Sequence, residues 1–200
     1  MVHTDARTSR QAESSIRVAE GERVGVLFSS DASPEMPAAL GRKMVECVDD
    51  AVRRRGWPLE ILKQEEVYAA LFPGLTPKQV LIRPNTLPLL VARAEIRERI
   101  ERLHLRYLVL VGGYTDGGAD GGVVPFAGWV WSRQRVDLAA SVFELGRGTR
   151  AGSVQSGAAG SQFVVALMGV VPIGGGVDAT GSACGPLGAE VVRMIGAPGD

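Results

Sequence analysis

Two cysteines and two histidines are all that 200 residues contain, and the chain has no net charge, with 22 Lys plus Arg against 22 Asp plus Glu. Affinity for a phosphate backbone rests on a clustered basic surface, so this balance argues against nucleic acid as a partner. Long apolar runs are missing as well. The one sustained stretch, Phe163 to Ile173, falls well short of the ~20 residues a helix needs to cross hydrocarbon, which makes it a buried strand or loop and leaves no transmembrane segment. Residues 1–21 have neither the basic start nor the apolar centre of a secretory signal, and they read as a polar, disordered tail or leader ahead of a single domain over 22–197. Taken literally, that start describes a cytoplasmic protein. Aromatics are few, at three Trp, three Tyr and five Phe, whereas glycine is abundant at 26, most of it beyond residue 111. The second half is therefore expected to hold loops and strands more than long helices.

What is present reads as alternating elements. Arg23 to Ser30 is a short apolar run that ends in small polar residues, as a buried first strand does. Ser33-Pro34-Glu35 supplies an N-cap, a proline at the first helical position and an early acid. Met36, Leu40, Met44, Cys47, Val48 and Ala51 then make one helical face that ends at Arg53, Arg54 and Gly56. A second strand is expected at Leu59 to Leu62 and a short helix from Glu65 to Leu71, followed by a proline-punctuated connection from Thr76 to Pro88. Leu89, Ile96, Ile100 and Leu103 form a helical stripe with a solvated, charged opposite face. Arg106 to Gly112 is apolar throughout and is expected to be a central strand. After a glycine-rich loop, residues 136–143 alternate as a strand with one covered face, Gly146 to Thr149 turns, and Arg150 to Ser156 returns antiparallel. A closing helix begins near Cys184-Gly-Pro186, with Leu187, Val191 and Ile195 on one side. This order gives an α/β fold: a two-layer sandwich whose mixed sheet has about five strands, with helices mainly on one face.

Few residues are arranged for chemistry. The segment Val111 to Gly122 follows a central strand, where phosphate-binding loops also sit. It is neither a Walker loop nor a G-x-G-x-x-G fingerprint, and no helix start follows it. Asp116 and Asp120 lack the spacing of a calcium loop, so no metal and no cofactor is expected. The serines of Gly152 to Gly157 form no nucleophile elbow. Of the two imidazoles, His3 lies in the tail and His104 at a helix-to-strand junction, where a helix C-terminus favours its cation. Cys184 at a helix start is the one candidate thiol nucleophile, with His104 as its base, and its place on an apolar face works against reactivity.

The stretches Gly21-Glu-Arg-Val-Gly-Val-Leu27, Ala70-Leu-Phe-Pro73, Arg97-Glu-Arg-Ile100 leading into Leu105-Arg-Tyr-Leu-Val-Leu-Val111, Leu138 to Leu145 and Ala183-Cys184 together resemble a family of uncharacterised proteobacterial envelope lipoproteins, over roughly Gly21 to Ile195. The fold of that family is similar to the periplasmic domain of the curli secretion channel subunit and to the lipoprotein activator of a penicillin-binding protein. The resemblance implies a periplasmic or outer-membrane-associated, non-enzymatic protein that binds or assembles other envelope proteins, or associates with itself. The sequence as it stands begins without the signal and lipidated cysteine of that family. In an oxidising envelope Cys47 and Cys184, both on core-facing helix stripes, are expected to form a disulfide; in a cytoplasmic protein two buried free thiols are the alternative. The partner-binding surface is expected on the loop from Tyr114 to Trp131, through Tyr114, Phe126, Trp129 and Trp131, aromatics on a mobile segment being common anchors. The alternative for Trp129 and Trp131 is that they cover a sheet face. A competing reading of the whole chain is a small-ligand or nucleotide-binding regulator, or an enzyme, that uses the glycine-rich segment after Val111.

Overall fold

The structure, a computed structural model, describes residues 2–12, 18–19, 21–28, 38–54, 59–75, 80, 82–124, 127–167 and 179–196. Its elements in chain order are β1 (Val2–Ala12), β2 (Arg23–Phe28), α1 (Ala38–Arg54), β3 (Glu60–Leu62), α2 (Gln64–Leu71), α3 (Leu87–Val91), α4 (Ala94–Arg102), β4 (Leu105–Val124), β5 (Ala127–Glu144), β6 (Thr149–Leu167) and α5 (Ala179–Met194). The six strands form one sheet in the order β1-β6-β5-β4-β2-β3. It is a mixed α/β sheet, as the element order implies.

The first half is parallel. In β2 the run Val24, Val26 and Leu27 is fully buried, the pattern of a strand covered on both faces. Gly25 between them is required by close packing, because a Cβ there would stand 2.9 Å from Leu108 Cδ1 and 3.0 Å from Val67 Cγ2. α1 turns Val45, Val48 and Val52 inward and ends on Arg53 and Arg54, cations that suit a helix C-terminus. The expected cap at Ser33 and Pro34 lies outside the described residues. β2 pairs parallel with β3 on one side and with β4 on the other. The chain therefore steps outward through α1 and returns past β2 through α2–α4. Two right-handed crossovers in opposite directions put their helices on opposite faces of the sheet, and the packing agrees. Val48 joins Val24, Val26 and Val109 in one core, while Val67, Leu71, Ile96 and Ile100 join Leu27, Leu108 and Leu110 in the other.

The second half is antiparallel: β4 pairs with β5, β5 with β6, and β6 with β1. α5 comes back over β5, β6 and β1 and lies beside α1. Gly188 permits that approach, since a Cβ there would meet the Cys47 carbonyl oxygen at 2.5 Å. The buried Ser156 hydroxyl donates to the Ala183 carbonyl at 2.8 Å and ties the helix to β6. The two long helices thus share one face, and the three short ones cover the other over β2 and β4.

Four expectations are corrected. The polar segment 1–21 is not a tail throughout, because Val2–Ala12 pairs along its whole length with β6 and makes the sixth strand. The glycine-rich stretch after Val111 is not a loop; it continues β4 to Val124, matched residue for residue with β5. The stripe from Leu89 to Leu103 is two helices, broken where Arg93 takes an extended backbone, with Leu89 left 72% exposed. The last helix starts at Ala179, not near Cys184, and carries Pro186 inside it.

Candidate functional site

Strand alternation divides the second half into two faces. On β5, Val136, Leu138, Ala140 and Val142 point into the core under α5, so Arg135, Asp137, Ala139 and Ser141 lie on the opposite face. α2–α4 stop short of this face, at a margin marked by Pro84. Beyond it, among the described residues, the sheet face from β4 to β1 is open. The result is a broad groove of about 790 Å³.

Its floor is made of small residues, chiefly Gly112, Ala139, Gly157 and Ala159, and its rim of Arg7, Tyr114, Arg135, Asp137 and Gln155. The glycine at 157 keeps the floor low beside Asp137, whose Oδ1 would stand 2.7 Å from a Cβ at that position. Arg135 Nε donates to Asp137 Oδ2 at 2.7 Å. That hydrogen bond, then the Asp137 charge, and to a lesser extent Asp116, hold the Arg135 guanidinium above its ordinary pKa. The pair is exposed and screened, so it orients side chains more than it stabilises the fold. A flat floor of small residues edged by ionic and amide groups suits an extended chain laid across it.

The residues named from sequence divide as follows. Tyr114 stands on the groove's rim, opposite Asp137 in the ladder, and is 51% exposed. Trp129 and Trp131 belong to β5, where they pair with Val165 and Phe163 of β6 and with Gly122 and Asp120 of β4. Phe126 lies outside the described residues. Tyr114, Trp129 and Trp131 therefore belong to paired strands and not to a loop. Cys47 and Cys184 face each other from α1 and α5 with Cα atoms 5.8 Å apart, and their sulfurs are bonded. Such a spacing is the ordinary one for a bridge. Cys184 therefore does not offer a free thiol to pair with His104. His104 itself is exposed, with φ 51°, and serves the backbone: its N–H donates to the Glu101 carbonyl at 3.0 Å and its carbonyl accepts from the Arg23 N–H at 2.8 Å, tying the end of α4 to the start of β2. Among the described residues no group of three or more His, Cys, Asp or Glu side chains is placed to hold a metal ion.

Sequence reading missed Arg7, Arg135, Asp137 and Gln155. The alternation of Arg133, Arg135 and Asp137 with the buried valines and leucine of β5 was the available signal. The contribution of β1 had none, because Val2–Ala12 carries no apolar period.

No protein-family model matches this chain, and no curated protein does. Solved structures to which this chain is similar include the PelC dodecamer from Paraburkholderia phytofirmans, at 15% identity and a TM-score of 0.46, covering 98% of this chain and 100% of that one. They also include the lipoprotein GNA1162 from Neisseria meningitidis, at 11% identity and a TM-score of 0.42, covering 86% and 99%. A third is the hypothetical protein CT253 from Chlamydia trachomatis, at 15% identity and a TM-score of 0.38, covering 88% and 96%.

Proposed function

We propose that this chain is a non-enzymatic protein of the bacterial cell envelope that binds or assembles other envelope proteins. The observation that carries the binding role is the open sheet face between α2–α4 and β1, a groove that offers paired ionic groups and Tyr114 around a floor of small side chains. The bridge between Cys47 and Cys184 supports the compartment, because disulfides persist where the surroundings are oxidising. The sequence resemblance to envelope lipoproteins points the same way. Tyr114, Phe126, Trp129 and Trp131 are the proposed anchors, Tyr114 standing on the rim of the groove.

The test is capture in the native compartment. A photo-crosslinking residue at Tyr114 is expected to trap an envelope protein, and replacing both Trp129 and Trp131 with alanine is expected to abolish the product while leaving the circular dichroism spectrum unchanged. Free thiols at both cysteines in protein taken from its native compartment, or the absence of any crosslinked partner, would reject the proposal.

A further inference from the structure

Among the described residues the sheet has two long free edges. On one side β1, eleven residues long, is bonded to β6 and, among the described residues, to no other strand. On the other side β2 accompanies β4 only as far as Val111, where it ends at Phe28. Residues 112–124 of β4 extend past it, paired with β5 on one edge and, among the described residues, with no strand on the other. The third exposed edge, β3, is three residues long and is protected by its shortness. The β4 edge is less guarded: residues 112–124 contain no proline, lysine or arginine, their charges are the two carboxylates Asp116 and Asp120, and their ladder with β5 runs without a register shift.

The two long edges are complementary. Residues 112–124 carry Asp116 and Asp120 and no cation, whereas β1 carries Arg7 and Arg10 against Asp5. The facing is also consistent. Thr8 and Arg10 meet Ser156 and Glu190 on the α5 side, so Arg7 lies on the open face, where it helps line the groove. Asp116 is exposed and stands two residues beyond Tyr114 on the same open face. Strand direction alternates through β1, β6, β5 and β4. A further β1 added beside β4 continues that alternation as an antiparallel pair while keeping α1 and α5 of both copies on the same side.

From these edges we infer that β1 of a second copy of this chain docks antiparallel on residues 112–124 of β4, with its Arg7 beside Asp116, and that copies join head to tail into a continuous sheet. The pairing is heterologous, so each added copy leaves one free edge of each kind until a ring closes. Main-chain hydrogen bonds supply the attraction and the pairing of Arg7 with Asp116 fixes the register. The inference rests on the reading of the chain as a protein that works through protein surfaces.

The experiment uses the purified, oxidised full-length chain. Sedimentation velocity over a concentration series is expected to show species beyond the dimer. Asp116→Arg, and separately Arg7→Glu, are expected to weaken assembly about tenfold, since like charges brought together oppose association. The double exchange Arg7→Glu with Asp116→Arg is expected to restore it, and circular dichroism reports that each variant folds. A synthetic peptide of residues 2–12 is expected to break up wild-type assemblies by occupying the β4 edge. A wild-type chain that stays monomeric, an assembly that stops at two copies, or one indifferent to both reversals and to the peptide overturns the inference. None of these results bears on capture of envelope proteins, which is read in the native compartment.

Discussion

At the scale of single residues, the bridge between Cys47 and Cys184 joins positions 137 apart in sequence. Closing so long a loop stabilises the fold by about 5 kcal/mol in the chain-entropy account, by restricting the unfolded chain. Replacing both cysteines with serine is expected to lower the denaturant midpoint with little change in the native circular dichroism spectrum; an unchanged midpoint would show that the bridge adds nothing. Tyr68 gives a pH dependence. Burial pushes its hydroxyl pKa up, against a smaller opposing effect of a backbone hydrogen bond at Ile82. The neutral phenol is therefore the form the native state prefers. Stability from this group is fully present below the unfolded value of about 10 and is lost as pH rises through the raised folded value. Tyr68→Phe is expected to flatten the alkaline loss of stability, measured by denaturant unfolding at several pH values.

At the scale of elements, legibility followed how much of each element's signal lies within its own residues. β2, the Leu105–Val111 part of β4 and α1 carry apolar runs or a helical period strong enough to be read directly, because their buried faces are made mostly of Val and Leu. β1 was not legible: Val2–Ala12 has polar residues on both sides of the strand, and only β6 gives it a structure. The glycines of β4 were read as a loop from their propensity, which a partner strand overrides, each interior glycine costing about 0.5–1 kcal/mol relative to alanine. Pro186 suggested a helix start because proline is favoured in a first turn, yet it sits within α5. The groove was illegible for a similar reason, since its four strands come from both ends of the chain. The corrected role of β1 changes what truncation should do. Removing residues 1–12 takes away the contacts of Thr8 with Ser156 and of Arg10 with Glu190 and uncovers the edge of β6. The shortened protein is expected to melt lower and to aggregate more readily by light scattering; an unchanged melting temperature would return this segment to the status of a tether.

At the scale of the whole molecule, the sheet joins a parallel half covered on both faces to an antiparallel half with one face open, and β4 belongs to both. Over Leu108 to Val111 its side chains are fully or almost fully buried between α1 and α5 on one face and α2–α4 on the other. From Tyr114 through Asp116 to Gly118 the described residues are exposed, and a neighbouring strand is present only on the β5 side. Opening the first stretch requires separating both cores, which amounts to global unfolding, whereas the second can open while both cores stay packed. One strand should therefore show two classes of amide exchange. In protein diluted to the monomer, amides of Leu108 to Val111 are expected to exchange only through global unfolding, and those of residues 114–118 by local opening, many times faster. Denaturant dependence separates the two, because global opening exposes far more surface and is steeply accelerated while local opening is not. Uniform protection along β4 would mean that the outer stretch is held as firmly as the inner one, and that its free edge is already occupied within the monomer.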